Sequence, residues 1–211
     1  MVNYRLKYFN GRGLGEIPRQ LFILADQPFE DVRVTEEEFV ILKPTLPFGQ
    51  LPLLEFDDHR LAQSKSICRY LARAFGFAGI DLFESAVIDS LADQQVDYCN
   101  EIKPWYVAHV HAKPGDASDG LDQLKNDVLL PARDRFLGFI TRFLKQNADN
   151  GYLVGNKVSW VDLLISEHTF DLSKRVPEYL DGFLEVKAHM EKIHQIPQIK
   201  NWLDTRPETI F

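Results

Sequence analysis

The sequence predicts a two-domain chain: an α/β unit with the order β-α-β-α-β-β-α, followed by a domain built from helices alone. Three observations carry this. Apolar residues alternate with polar ones near the start, the period of a strand half-buried in a sheet. A glycine-rich stretch, Gly76-Phe-Ala-Gly79, interrupts the pattern. Beyond Ser85 almost every segment repeats its apolar residues at helical spacing. At 211 residues the chain is long enough for two small domains with a real core.

Taken in order, Tyr4, Leu6 and Tyr8 alternate with polar residues and read as the first strand. The turn Gly11-Arg-Gly-Leu-Gly15 follows, then a helix with Ile17, Leu21, Leu24 and Ala25 on one side and Pro18 in its first turn. Phe29 to Val34 is a second strand. Thr35 with Glu38 forms a capping box that starts a short helix, and Glu36-Glu-Glu38 is its solvated, dipole-matched first turn. The proline-rich segment from Lys43 to Pro52 is irregular. Leu53 to Phe56 and Arg60 to Ala62 flank Asp57-Asp-His59 as a hairpin. Ser64 caps a helix carrying Ile67, Tyr70, Leu71 and Ala74. The expected result is a small four-stranded sheet with helices on both faces. The domain limits read as residues 1–78, a linker at 79–84, and a helical domain at 85–211. Breaks near Pro114-Gly115, Gly151 to Gly155, Pro177 and Ile196-Pro197 divide the latter into about five helices. Ser159 and Asp162 form a second capping box, a folding element with no chemistry of its own.

Composition narrows the function. A net charge of −7 argues against nucleic acid and anionic membranes as partners. No apolar run reaches the roughly 18 residues of a membrane span, and the start lacks a secretion or transit signal. The two cysteines, Cys68 and Cys99, form no Cys-x-x-Cys motif, which excludes zinc ribbons and dithiol redox sites. Cys68 sits in an apolar helical pattern as a buried, inert thiol. The chain reads as cytoplasmic. His109-x-His111 places its imidazoles on different helix faces, so no metal is expected.

Several motifs carry a resemblance. Asn3-Tyr-Arg-Leu-Lys-Tyr-Phe-Asn10, Leu46-Pro-Phe-Gly-Gln-Leu-Pro52 and Gln63-Ser64 resemble the sigma class of cytosolic glutathione transferases. In the helical half, Gly151-Tyr-Leu-Val-Gly155 and Ser159-Trp-Val-Asp162 resemble that family's folding motif. Val128-Leu-Leu-Pro-Ala-Arg133 and Val176-Pro-Glu-Tyr179 resemble its nematode members. The resemblance spans the full chain and implies a thioredoxin-like first domain, a helical second domain and a homodimer. It also implies glutathione as cosubstrate, with no permanently bound cofactor.

The resemblance makes Tyr8 the activator of the glutathione thiol. A free thiol with a pKa near 8.5 is only about 3% thiolate at pH 7. A hydroxyl donated to the sulfur anion is worth roughly 1.5–3 kcal/mol, or about one to two pKa units. Two units raise the thiolate fraction about 25-fold, but reactivity falls about eightfold at a slope of about 0.45. The net gain is about threefold, so positioning of the two reactants must supply more. By the same resemblance, Leu51 ahead of a cis Pro52 offers its backbone to the peptide in the manner of strand addition. Gln63 and Ser64 take the γ-glutamyl carboxylate at a helix N-terminus. Lys43, Gln50, Gly49 and residue 39 meet the glycyl end, and Asp97 reaches the γ-glutamyl ammonium of the neighbouring subunit.

Phe39 stands where several sigma enzymes have Trp and lacks the indole donor. Leu14 stands where vertebrate relatives have Arg, which makes the electrophile pocket more apolar and argues against the vertebrate prostaglandin D isomerase activity. Phe9, Leu14, Trp105, Tyr106 and Phe211 are the candidates for that pocket. The expected reaction is conjugation of glutathione to apolar electrophiles in detoxification. The alternative is a ligandin-type protein that sequesters haem or other bulky apolar molecules. A lens-crystallin role is disfavoured by the intact Tyr8 and the lack of a long insertion near Pro114.

Overall fold

The computed structural model describes residues 2–112 and 119–209. The first domain runs β1 (Tyr4–Phe9), α1 (Glu16–Leu24), β2 (Phe29–Val34), α2 (Glu36–Leu42), β3 (Leu53–Phe56), β4 (His59–Ala62) and α3 (Ser64–Phe75), the order read from the sequence. The sheet order is β2-β1-β3-β4. β1 and β2 are parallel, with Tyr4 opposite Phe29, as a helical crossover requires. β3 lies antiparallel to β1 and to β4, the second pair closing across Asp57-Asp58. The Thr35–Glu38 capping box is present, Thr35 accepting from the Glu38 N–H and Glu38 from the Thr35 N–H.

The second domain contains α4 (Leu82–His111), α5 (Asp119–Leu124), α6 (Leu130–Gln146), α7 (Trp160–Arg175), α8 (Leu184–His194) and α9 (Pro197–Thr205). That is six α-helices among the described residues rather than about five, because α5 and α6 are separated by a π-helical stretch, Lys125–Leu129. The breaks near Gly151, Pro177 and Pro197 fall between helices as expected, and the one near Pro114 lies outside the described residues. The expected linker at 79–84 is shorter in the structure. α4 begins at Leu82 because the Asp81 side chain accepts the Glu84 N–H at 2.8 Å. No helix among the described residues is long and apolar enough to cross a membrane.

One large core crosses both domains, joining Phe22, Ile67 and Leu71 of the first to Ile88, Trp105, Phe136 and Trp160 of the second. A smaller cluster of Tyr8, Val34, Leu46, Leu51, Leu53 and Ala62 is closed by Phe39 and Leu42 from α2. β1 therefore hands its tyrosines to different places. Tyr4 packs in the large core against Phe22, Phe56 and Phe75, and Tyr8 in the small cluster.

Candidate functional site

Tyr8 sits near the end of β1, 8% exposed, beneath the turn that enters α1. The Leu14 N–H donates to the Tyr8 hydroxyl oxygen at 3.1 Å. That contact occupies the oxygen as an acceptor and leaves the phenolic hydrogen free to be donated elsewhere. Two glycines permit it. A Cβ on Gly13, whose φ is +34°, would stand 2.6 Å from the Tyr8 oxygen, and one on Gly15 would stand 2.5 Å from the ring. Burial pushes the Tyr8 pKa up, while the Leu14 N–H and the Arg19 guanidinium, 5.8 Å from the ring centre, pull the other way. Arg12, Gly13, Gly15 and Arg19 were not singled out from the sequence. The Gly-Arg-Gly-Leu-Gly alternation was the available signal for a backbone that must approach something closely.

Next to the turn whose Leu14 N–H meets the Tyr8 oxygen lies a small open cleft lined by Leu14, Phe48, Gln50, Leu51, Pro52, Ala62, Gln63 and Ser64, with Tyr8 itself not among the lining residues. Five expected glutathione-binding positions, Gln50, Leu51, Pro52, Gln63 and Ser64, thus converge with Leu14, and Phe48 joins them unanticipated. The Leu51-Pro52 bond is cis. Ser64 is the first residue of α3 rather than its cap. Gln63 takes the cap position, with φ +74° and no capping hydrogen bond. A glutamine held at positive φ is strained and marks a position where backbone direction matters.

Phe39, Lys43 and Gly49 adjoin the cleft without lining it. Phe39 sets its ring edge-on to Phe9 at 5.0 Å, and the Lys43 ammonium lies 5.9 Å from the Phe39 ring. Asp97 is exposed on α4 and is not among the lining residues.

The electrophile candidates separate. Phe9 packs edge-on to Tyr8 at 5.6 Å, and Leu14 is 55% exposed at the cleft. Trp105 is corrected to a core residue: it is 1% exposed and stacks on His109, so it has no free face for a ligand. Its neighbour Tyr106 is half-buried, with the Arg175 guanidinium 5.4 Å from its ring, so this side is more polar than Leu14 alone suggests. Phe211 lies outside the described residues. Both cysteines stay protonated, since burial pushes Cys68 up to about 12 and Cys99 up to about 11.

Sequence reasoning missed a buried charge network behind the turn. Glu16, at the start of α1, accepts from Trp202 at 2.8 Å, Arg206 at 2.5 Å and Gln20 at 3.1 Å. Glu167 on α7 accepts from Arg206 at 3.1 Å, Gln20 at 3.0 Å and Arg12 at 3.4 Å. It joins α1, α7 and the segment after α9, on elements up to 190 residues apart, so no local pattern announces it.

Comparisons with known proteins agree along the chain. A family model for the glutathione S-transferase N-terminal domain matches residues 4–73, and one for the C-terminal domain matches residues 105–206. Probable glutathione S-transferase 8 of Caenorhabditis elegans is 51% identical over 211 residues, covering 100% of both chains. A Nu-class GST from Haemonchus contortus superposes with a TM-score of 0.91 at 48% identity, covering 100% of both chains. Monomeric Na-GST-3, a glutathione S-transferase from Necator americanus, superposes with a TM-score of 0.93 at 47% identity, covering 99% of this chain and 100% of that one.

Proposed function

The chain belongs to the glutathione S-transferase family, in fold and in enzyme class, and from that premise we propose that Tyr8 donates its hydroxyl hydrogen to the glutathione thiolate. The observation that carries this is the Leu14 N–H on the Tyr8 oxygen, which leaves the phenolic hydrogen as the free donor beside the cleft. The peptide lies along Leu51 and Pro52. Gln63, Ser64 and the N-terminal amides of α3 take the γ-glutamyl carboxylate. Gln50, Lys43, Gly49 and Phe39 hold the glycyl end. The thiolate then attacks an apolar electrophile lodged against Phe9, Leu14 and Tyr106, and the leaving group departs with the bonding electron pair. Deprotonation contributes little beyond a few-fold, so alignment in this cleft supplies most of the rate.

The site is sigma-like in its residues, while the Haemonchus contortus relative is named Nu-class; we read the chain as a nematode enzyme with sigma-type glutathione contacts. Its two free cysteines suit the cytoplasm. We also read it as a homodimer in which Asp97 serves the neighbouring site. Asp97 is exposed, and Phe48 at the cleft rim is 65% exposed, as an interface would require. The Necator americanus relative is described as monomeric, so sedimentation equilibrium is the deciding measurement; a monomer at assay concentration removes the role of Asp97. A second reading, binding of haem or similar bulky apolar molecules, draws on the exposure of Leu14, Val107 and Val110. It is lost if haematin neither inhibits turnover nor quenches tryptophan fluorescence.

Tyr8→Phe tests the main reading. The pKa of the bound thiol is expected to rise by about one to two units, with little change in glutathione affinity. Ultraviolet titration of the thiolate reads this directly. An unchanged titration and unchanged turnover would remove Tyr8 from the mechanism.

A further inference from the structure

Leu14, whose N–H meets the Tyr8 oxygen, lies between Gly13 and Gly15. Glycine constrains its own backbone little, so a turn of this composition has weak intrinsic preference for holding that N–H in place. One residue before Gly13, the Arg12 side chain reaches into the other domain. Its Nη1 lies 3.4 Å from Glu167 Oε1 and its Nη2 donates to Asp171 Oδ1 at 3.0 Å, two carboxylates one turn apart on α7. Its own carbonyl accepts the Gly15 N–H at 3.1 Å, closing the turn around Leu14.

We infer that Arg12 is a positioning residue for thiol activation: anchored to Glu167 and Asp171, it holds the Leu14 N–H on the Tyr8 oxygen and so aims the Tyr8 proton at the cleft. This rests on the reading of Tyr8 given above. Neither carboxylate depends on Arg12 for a partner. Asp171 also accepts from Arg175 at 2.9 and 3.2 Å, and Glu167 from Arg206 and Gln20. Removing Arg12 therefore leaves no buried charge alone, and the loss falls on the turn rather than on the fold. The second domain thereby enters the chemistry of the first without touching glutathione.

The test is Arg12→Met in the full-length protein, with Tyr8→Phe and Arg12→Lys alongside. Arg12→Met keeps the aliphatic stem and removes the fork. The thiolate titration of its glutathione complex is expected to move up by about one unit. Turnover per bound glutathione should fall about tenfold below the wild-type thiol pKa and recover above that of the variant. Arg12→Lys reaches only one of the two carboxylates and is expected to fall between. A structural lesion would lower activity evenly at every pH, and that outcome overturns the inference. An unshifted Arg12→Met beside a shifted Tyr8→Phe overturns the anchor alone. Should Tyr8→Phe also leave the titration unmoved, both the anchor and the Tyr8 reading fail.

Discussion

Two buried carboxylates stand five residues apart on α7 and do different work. Asp162 is 0% exposed and gathers donors mostly from its own neighbourhood: the Leu153 N–H at 2.8 Å, the Ser159 N–H at 2.8 Å, the Ser159 hydroxyl at 2.7 Å and His189 Nε2 at 2.9 Å. Glu167 gathers Arg12, Gln20 and Arg206, which come from elsewhere in the chain. Each donor to Glu167 has a second acceptor: Arg206 and Gln20 reach Glu16, and Arg12 reaches Asp171. For the four donors of Asp162, Asp162 is the shared acceptor. The first carboxylate closes a helix start and the loop before it. The second joins two domains behind the turn that carries Leu14. Redundancy of partners, more than burial, sets what each loss should cost.

The largest expected effect breaks the local site. Asp162→Ala strands four polar groups in a dry setting, at roughly 1–3 kcal/mol each. A total of about 4 kcal/mol or more takes most of the stability of an ordinary domain, about 5–15 kcal/mol. The variant is expected to accumulate as insoluble protein, and Asp162→Asn, which keeps one acceptor oxygen, to fold with a lower Tm. Recovery of soluble Asp162→Ala with the wild-type Tm would contradict this ranking.

The contrast also explains what was legible. Both capping boxes were read correctly because the partners lie three residues apart and capping chemistry is local. The element order of the first domain followed from alternation and turn residues. Trp105 was misread because α4 is apolar on more than one side and periodicity does not say which side faces the main core. α1 was read from Ile17 and Leu21, yet Glu16, Arg19 and Gln20 are equally buried beside them. Partners off the helix, among them Gly11, Asp31, Glu167, Trp202 and Arg206, make those positions tolerable. The proposed glutathione contacts rest on family resemblance, since a lone Lys43 or Ser64 has no distinguishing pattern.

A smaller effect is expected at Glu167. Glu167→Ala should cost about 2 kcal/mol, below the usual 3–5 kcal/mol for breaking a buried ion pair, because every donor retains a partner. Burial and the nearby Glu16 push the Glu167 pKa up, against the pull of Arg206 and Arg12. A raised carboxyl pKa contributes stability that is present below the unfolded value and lost as pH rises through the folded value. Wild type should therefore lead Glu167→Gln by the widest Tm margin in mild acid, with the gap narrowing toward neutrality. A gap that widens with pH would mean that the ion pairs dominate burial and Glu16.

The smallest effect isolates burial without a counter-ion, and it lies one residue further along. His168 is half-buried, edge-on to Tyr98 and Phe136 at 5.4 and 6.1 Å. Its Nδ1 faces the Gln95 amide nitrogen at 3.3 Å, which makes Nδ1 the acceptor and leaves the proton on Nε2. Nε2 is buried with no partner among the described residues. Burial pushes the His168 pKa down from 6.5 to about 4; Lys65 adds to this and Asp171 opposes it. For a base depressed on folding, the stabilising contribution is complete above the unfolded value and is lost as pH falls through 6.5 toward 4. At pH 5.5 the loss is about 1.4 kcal/mol. His194, pushed down to about 4 by burial, adds a similar slope, so wild type alone does not separate the two. His168→Phe keeps an aromatic ring against Tyr98 and Phe136 while removing the titration. Its urea unfolding free energy should drop between pH 7.5 and 5.5 by about 1 kcal/mol less than that of wild type. Parallel pH dependence in the two proteins would show that His168 takes up its proton within the fold, which requires a partner for Nδ1 that the Gln95 amide does not provide.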